Sequence, residues 1–222
     1  MFETDYIVRM IHQFVAFLAR LLFRIQSGNL NEARLDIRNA SEQFLGLSLA
    51  LILGLSNEGL SDILSLDGGR DVEKVYVAAQ LIFCEARVRD ADGQPDATEL
   101  YLKSLDLLLR HFPRMDETLK DGAISAIDQI VTSLGNQDLS LETCRLLVAY
   151  YEIRGEYARS EDRLFELTER GLGEALQIGV SFYERLLKKT DQELERGNLP
   201  RNEVTEGLEE LKARCYAQQT SK

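Results

Sequence analysis

The residues of this chain best suited to hold a metal or act as a nucleophile are two histidines and three cysteines. His12 and His111 lie far apart, and neither has a second histidine or a cysteine at ligand spacing, so the sequence supports no zinc site. Cys84, Cys144 and Cys215 are distant, odd in number and each set in a helical pattern. They read as small buried apolar residues in a reducing compartment. No serine is framed by glycines as a nucleophile elbow requires, and neither a dinucleotide fingerprint nor a calcium-loop pattern occurs. Asp67-Gly68-Gly69 lacks the lysine and hydroxyl residue of a phosphate loop and reads as a plain turn. Carboxylates such as Asp116-Glu117 and Glu209-Glu210 fall mostly in first helical turns or on solvated faces, where they answer the helix dipole. Glu166 and Arg170 are spaced as an ordinary i,i+4 pair. The expectation is a protein without catalytic residues, metal or cofactor. The alternative is an enzyme or small-ligand binder whose site is assembled from scattered residues between helical hairpins.

Bulk composition narrows the partners. With 222 residues the chain can bury a sizeable core without disulfide or metal. A formal charge of −11 argues against nonspecific nucleic-acid binding, which rests on cationic contacts to phosphate. No basic leader precedes the first apolar stretch, which carries Arg9, Arg20 and Arg24, so neither a signal peptide nor a membrane span is expected. The expected location is the cytoplasm.

The elements that must position any site read as helices throughout, and the fold class expected is all-α: antiparallel hairpins forming a solenoid or a bundle. The stretch Cys144 to Leu167 organises the rest as two short amphipathic helices hinged at Gly155, where a left-handed residue must end the first. Thr4 to Ser27 is expected as a long first helix capped by Thr4 or Asp5. Its residues Phe14, Leu18, Leu22 and Ile25 are candidates for self-association as a homodimer; a platform for a partner's helix, a central core helix and a membrane-surface anchor are the other readings. Asn31 to Leu55 is expected as its partner, with Gly46, Ala50 and Gly54 forming a small-residue groove. A short segment follows around Glu58 to Leu66. Asp71 to Ala91 with Pro95 to Phe112 should form a further hairpin, then come Asp116 to Leu134, Glu174 to Arg196 ended by Gly197-Asn198, and a last helix opened by Pro200. There Val204, Leu208, Leu211 and Cys215 make one narrow stripe, as a terminal cap should. The chain is expected as one domain, with a possible subdivision near residues 67–70.

The organising hairpin resembles a tetratricopeptide repeat. Leu147, Tyr151, Gly155, Tyr157 and Leu164 stand at its large-residue and turn positions, with Ser160 in place of the usual alanine. A second copy fits Gly28, Leu30, Ala33, Ile37 and Ala40, and a third runs through Asp92, Ala97, Tyr101 and Ser104. Positions 28, 92 and 155 lie 64 and 63 residues apart, nearly twice a repeat of ~34. The opening DYIVRMIHQFVAFLARLLF is similar to the start of a family of short proteins of no known activity from Gram-positive, clostridia-like bacteria. The repeat resemblance implies a non-catalytic module that binds a helix or extended peptide of a protein partner. Its inner-groove positions fall on Glu142, Arg145, Ala149 and Glu152, on Ala79, Ile82, Ala86 and Arg89, and on Val15, Leu18, Leu22 and Ile25. Arg145 could stand for the lysine of the family's carboxylate clamp, but Ala149 cannot supply the asparagine's hydrogen bonds, which makes capture of a free C-terminus doubtful.

Overall fold

The long apolar periodicities of the chain form α-helices, two of them broken into pieces. A computed structural model describes residues 2–65, 71–135, 137–169 and 173–220, and no strand occurs among the described residues. Asp67-Gly68-Gly69 and Arg170 lie outside them. The chain divides into two compact units, Met1–Gln137 and Asp138–Lys222. The subdivision expected near 67–70 is therefore displaced, because helices on both sides of that segment pack on one another.

The first unit contains α1 (Phe2–Gln26), α2 (Leu30–Leu45), α3 (Leu49–Gly54), α4 (Asn57–Ser65), α5 (Asp71–Ala91), α6 (Ala97–His111), a 3-10 turn (Phe112–Arg114) and α7 (Glu117–Leu134). The central helix is α5, not α1: it packs against α1, α2, α4, α6 and α7. Residues Val75 to Ala86 are accordingly buried all round. On α1 one face is internal. Phe14 is fully buried, with its ring edge-on to Phe44 and Tyr76 at 5.3 and 6.2 Å. The helix already runs from Phe2, so Thr4 and Asp5 lie within it rather than before it.

The second expected helix is broken in two. Gly46 adopts φ 67° and ends α2, and Ser48 starts α3 by accepting a hydrogen bond from Leu51 N–H at 3.3 Å. The small-residue groove from Gly46 to Gly54 is thereby lost. Gly46, Ala50 and Gly54 are exposed, and nothing approaches either glycine. Lys103 instead secures the end of α3, donating to the carbonyls of Leu53 and Leu55.

The second unit contains α8 (Leu141–Ile153), α9 (Tyr157–Glu169), α10 (Gly173–Leu186), α11 (Asp191–Arg196) and α12 (Arg201–Thr220). The helix expected over Glu174 to Arg196 is two helices. Thr190 and Glu193 form a capping box that nucleates α11 separately. Arg201 donates to the carbonyls of Leu187 and Lys189 and so fixes the intervening turn. Val204, Leu208 and Leu211 of α12 are buried, and α12 packs on α10.

Three hairpin turns share one chemistry. Gly28, Gly93 and Gly155 have φ of 77, 68 and 72°. Each glycine N–H bonds the carbonyl three residues back, at 3.1, 2.9 and 3.0 Å, while the next N–H reaches the carbonyl five before it, at 3.0, 2.9 and 2.9 Å. This is the Schellman closure, and only glycine enters it without steric strain. In the second turn the left-handed residue is Gly93, one place after Asp92. Across two of these hairpins a buried serine hydroxyl bonds the facing helix: Ser104 to the Ala79 carbonyl at 2.8 Å, and Ser160 to that of Val148 at 2.7 Å. A small residue is required there by the close crossing, and a hydroxyl is tolerated because it finds an acceptor.

Candidate functional site

Along α8 the apolar residues Cys144, Leu147, Val148 and Tyr151 turn inward, with Ser140 capping the helix by accepting from Thr143 N–H at 3.1 Å. The opposite side of the helix carries Glu142, Arg145, Ala149 and Glu152. Facing it across an open groove stand Glu174, Gln177, Ile178, Ser181 and Arg185 of α10. Two adjoining hollows of about 390 and 150 Å³ share Arg145, Glu174 and Ile178. Val148, Ala149, Ala175 and Ile178 supply the apolar part of the lining.

The charges of this groove are tied to one another. Arg185 makes a bidentate pair with Glu152, Nε to Oε1 at 2.8 Å and Nη2 to Oε2 at 2.7 Å. Hydrogen bonding to Glu152 raises the Arg185 pKa above its ordinary value, against the opposing effect of burial. Arg145 pairs with Glu142 at 3.2 Å, both half-exposed. Surface pairs of this kind contribute little to stability. They leave planar donors and acceptors at the groove's edge.

The structure thus brings Glu142, Arg145 and Ala149 to one groove, with Glu152 held at its end by Arg185. The other expected groove positions are corrected. Ile82, Ala79 and Ala86 are fully buried within the first unit because α5 is covered on every side. Arg89 is bound to Glu85 at 2.8 Å and to Asp96, and so braces the turn between α5 and α6. The self-association candidates are corrected too. Phe14, Leu18 and Ile25 are core and Leu22 is half-buried, whereas Val15 and Phe23 are 41% and 69% exposed.

A second cleft, of about 550 Å³, lies within Met1–Gln137 between α5, α6 and α7 near the end of α1. Sequence reading missed it. Its buried lining is Ile25, Phe83 and Tyr101, and its polar residues are Arg87, Asp90, Asp128, Gln129, Thr132 and Ser133. The Tyr101 hydroxyl donates to Asp90 at 3.2 Å. Burial raises its pKa above the usual phenol value, a hydrogen bond from Ser133 opposing and the Asp90 charge adding. The sequence signal for this cleft is Arg87 and Asp90 at three-residue spacing near the end of α5, and it has meaning only once α7 is placed opposite.

Of the three cysteines, Cys84 and Cys144 are buried as expected, whereas Cys215 is only partly so. Burial pushes the Cys84 thiol up to about 12, an inert thiol at neutral pH. His111 Nε2 lies 3.4 Å from the Ser61 hydroxyl, and His12 is exposed. Among the described residues no group of three histidine, cysteine or acidic side chains could hold a metal ion. None of their helices is long and apolar enough to cross a membrane.

Residues 1–216 match the model of a family of unknown function, DUF6483. The chain belongs to that family. No curated protein and no solved structure matches it.

Proposed function

We propose that this DUF6483 chain is a non-catalytic interaction module of the bacterial cytoplasm, receiving a helix or extended segment of a protein partner in the groove between α8 and α10. The observation that carries the reading is the pairing of two outward helix faces over an open, apolar-lined groove rimmed by Arg145, Arg185, Glu142 and Glu174. Such grooves bind amphipathic segments through apolar anchors, while rim charges set register. The likeness of the α8–α9 hairpin to a tetratricopeptide repeat supports it. Ala149 in place of a clamp asparagine directs recognition to side chains of the segment rather than to a C-terminal carboxylate.

The test is a photo-crosslinking amino acid at position 149 in native cells, followed by co-purification with Ala149→Arg/Ile178→Arg. The expected result is a discrete crosslinked partner that the double variant no longer retains, at an unchanged melting temperature. A partner retained by the double variant would place the binding surface elsewhere.

Self-association is the second reading, favoured by the exposed stripe Val15, Ala19 and Phe23 on the outer side of α1. Symmetric pairing is the commonest way soluble chains cover such surface. Sedimentation of the wild type across micromolar concentrations tests it, and a monomer throughout overturns it.

A further inference from the structure

The cleft of Met1–Gln137 holds two opposite charges that are close in sequence and yet unpaired with each other. Arg87 and Asp90 are three residues apart on α5, a spacing at which helical side chains commonly meet. Instead each is turned to another partner. Arg87 donates from Nη1 to Gln129 Oε1 at 3.3 Å, and its guanidinium stands 5.7 Å from the centre of the Phe83 ring. Asp90 accepts from the Tyr101 hydroxyl. Arg87 is half-buried and makes no ion pair among the described residues. No carboxylate among the described residues hydrogen-bonds the half-buried guanidinium, whose planar donors suit an anion brought by a ligand.

A simple carboxylic acid fits poorly, because Asp90 and Asp128 of the same lining would repel it. A simple amine fits poorly as well, because Arg87 of the same lining would repel it. The geometry points to a site for a zwitterion of the α-amino-acid class: its carboxylate on Arg87, its ammonium on Asp90, and an apolar side chain against Phe83, Ile25 and Ala91. At about 550 Å³ the cleft is within the range of small-molecule sites. Both charged anchors rise from α5, so their backbone positions are set before a ligand arrives.

Calorimetry and thermal melting with the full chain test this, using the free proteinogenic L-amino acids as probes at millimolar concentration. L-phenylalaninamide and N-acetyl-L-phenylalanine serve as the forms lacking one charge. At least one apolar amino acid should raise the melting temperature saturably, with each blocked form bound tenfold or more weakly. Arg87→Met should abolish the preference for the free acid over the amide, and Asp90→Asn the preference for the free amine over the acetylated form. Circular dichroism establishes that both variants remain folded, and Ile153→Ala, at an exposed position of the other unit, should leave binding unchanged. Absence of stabilisation by every amino acid, equal binding of the blocked forms, or preferences that survive Arg87→Met and Asp90→Asn would each overturn the assignment.

Discussion

Replacing Gly197 by alanine separates two roles that glycine plays in this fold. Its φ is −79°, which any residue adopts, and the left-handed residue of that turn is Asn198 at φ 59°. What Gly197 provides is space. A Cβ there would lie 2.7 Å from the Gly155 carbonyl oxygen and 2.8 Å from Tyr157 Cγ. Tyr157 is buried, and the Ala158 N–H donates to the Gly197 carbonyl at 3.0 Å, so the two turns are stitched together at this point. A side chain can yield by rotating, but a carbonyl inside a Schellman turn cannot. Gly197→Ala should therefore fall at the upper end of overpacking costs, about 3 kcal/mol. Gly155→Ala meets no atom within 4 Å and suffers only the left-handed backbone penalty, about 1–2 kcal/mol. At about 2–4 °C per kcal/mol for a chain of this size, Gly197→Ala should melt roughly 6–12 °C below the wild type and well below Gly155→Ala. Urea denaturation followed by helical circular dichroism gives the free energies directly. If Gly197→Ala proves as stable as the wild type, or milder than Gly155→Ala, the close approach of the two turns is refuted.

The two sides of α1 should respond oppositely. Phe14→Ala should cost about 3–5 kcal/mol in urea denaturation by opening a cavity between Phe44 and Tyr76. Phe23→Glu on the exposed side should leave the midpoint nearly unchanged, and a large loss there would contradict the assignment of faces. Glu161 supplies a pH-dependent test. Burial raises its pKa above the ordinary carboxylate value, with the Tyr183 hydroxyl, donating at 2.5 Å, opposing and Glu203 and Asp162 adding. A folded pKa above the unfolded one means that its stabilising contribution is complete below the unfolded value and is lost as pH rises through the folded one. Glu161→Gln, which keeps an acceptor for Tyr183, should melt above the wild type at neutral pH. That advantage should shrink as pH falls towards 4.5, and an advantage independent of pH would refute the burial effect.

Much of the fold is legible in the sequence because helical periodicity and turn chemistry are local. The apolar spacing of Cys144, Leu147, Val148 and Tyr151 gives α8 its inward face, and so leaves Glu142, Arg145, Ala149 and Glu152 together on the other side. Gly28 and Gly155 mark their turns because no other residue enters the left-handed region so cheaply. The capping-box spacing of Thr190 and Glu193 marks the separate start of α11, a local signal that the expectation of one helix over Glu174 to Arg196 passes over.

What periodicity does not carry is the identity of the covering surface. The apolar residues of α1 and α5 look alike in sequence, but only α5 has neighbours on every side, which removes Ile82 from any groove and leaves Phe23 on α1 exposed. The end of α3 depends on Lys103, distant in sequence, which donates to its last carbonyls. The need for glycine at 197 comes from an oxygen at 155 in another turn. The cleft of Arg87 and Asp90 exists only because α7 brings Gln129 and Ser133 alongside α5 and α6. Local sequence determined which residues form helices and where three hairpins turn; long-range packing alone decided which faces meet, because burial belongs to pairs of surfaces and not to either helix by itself.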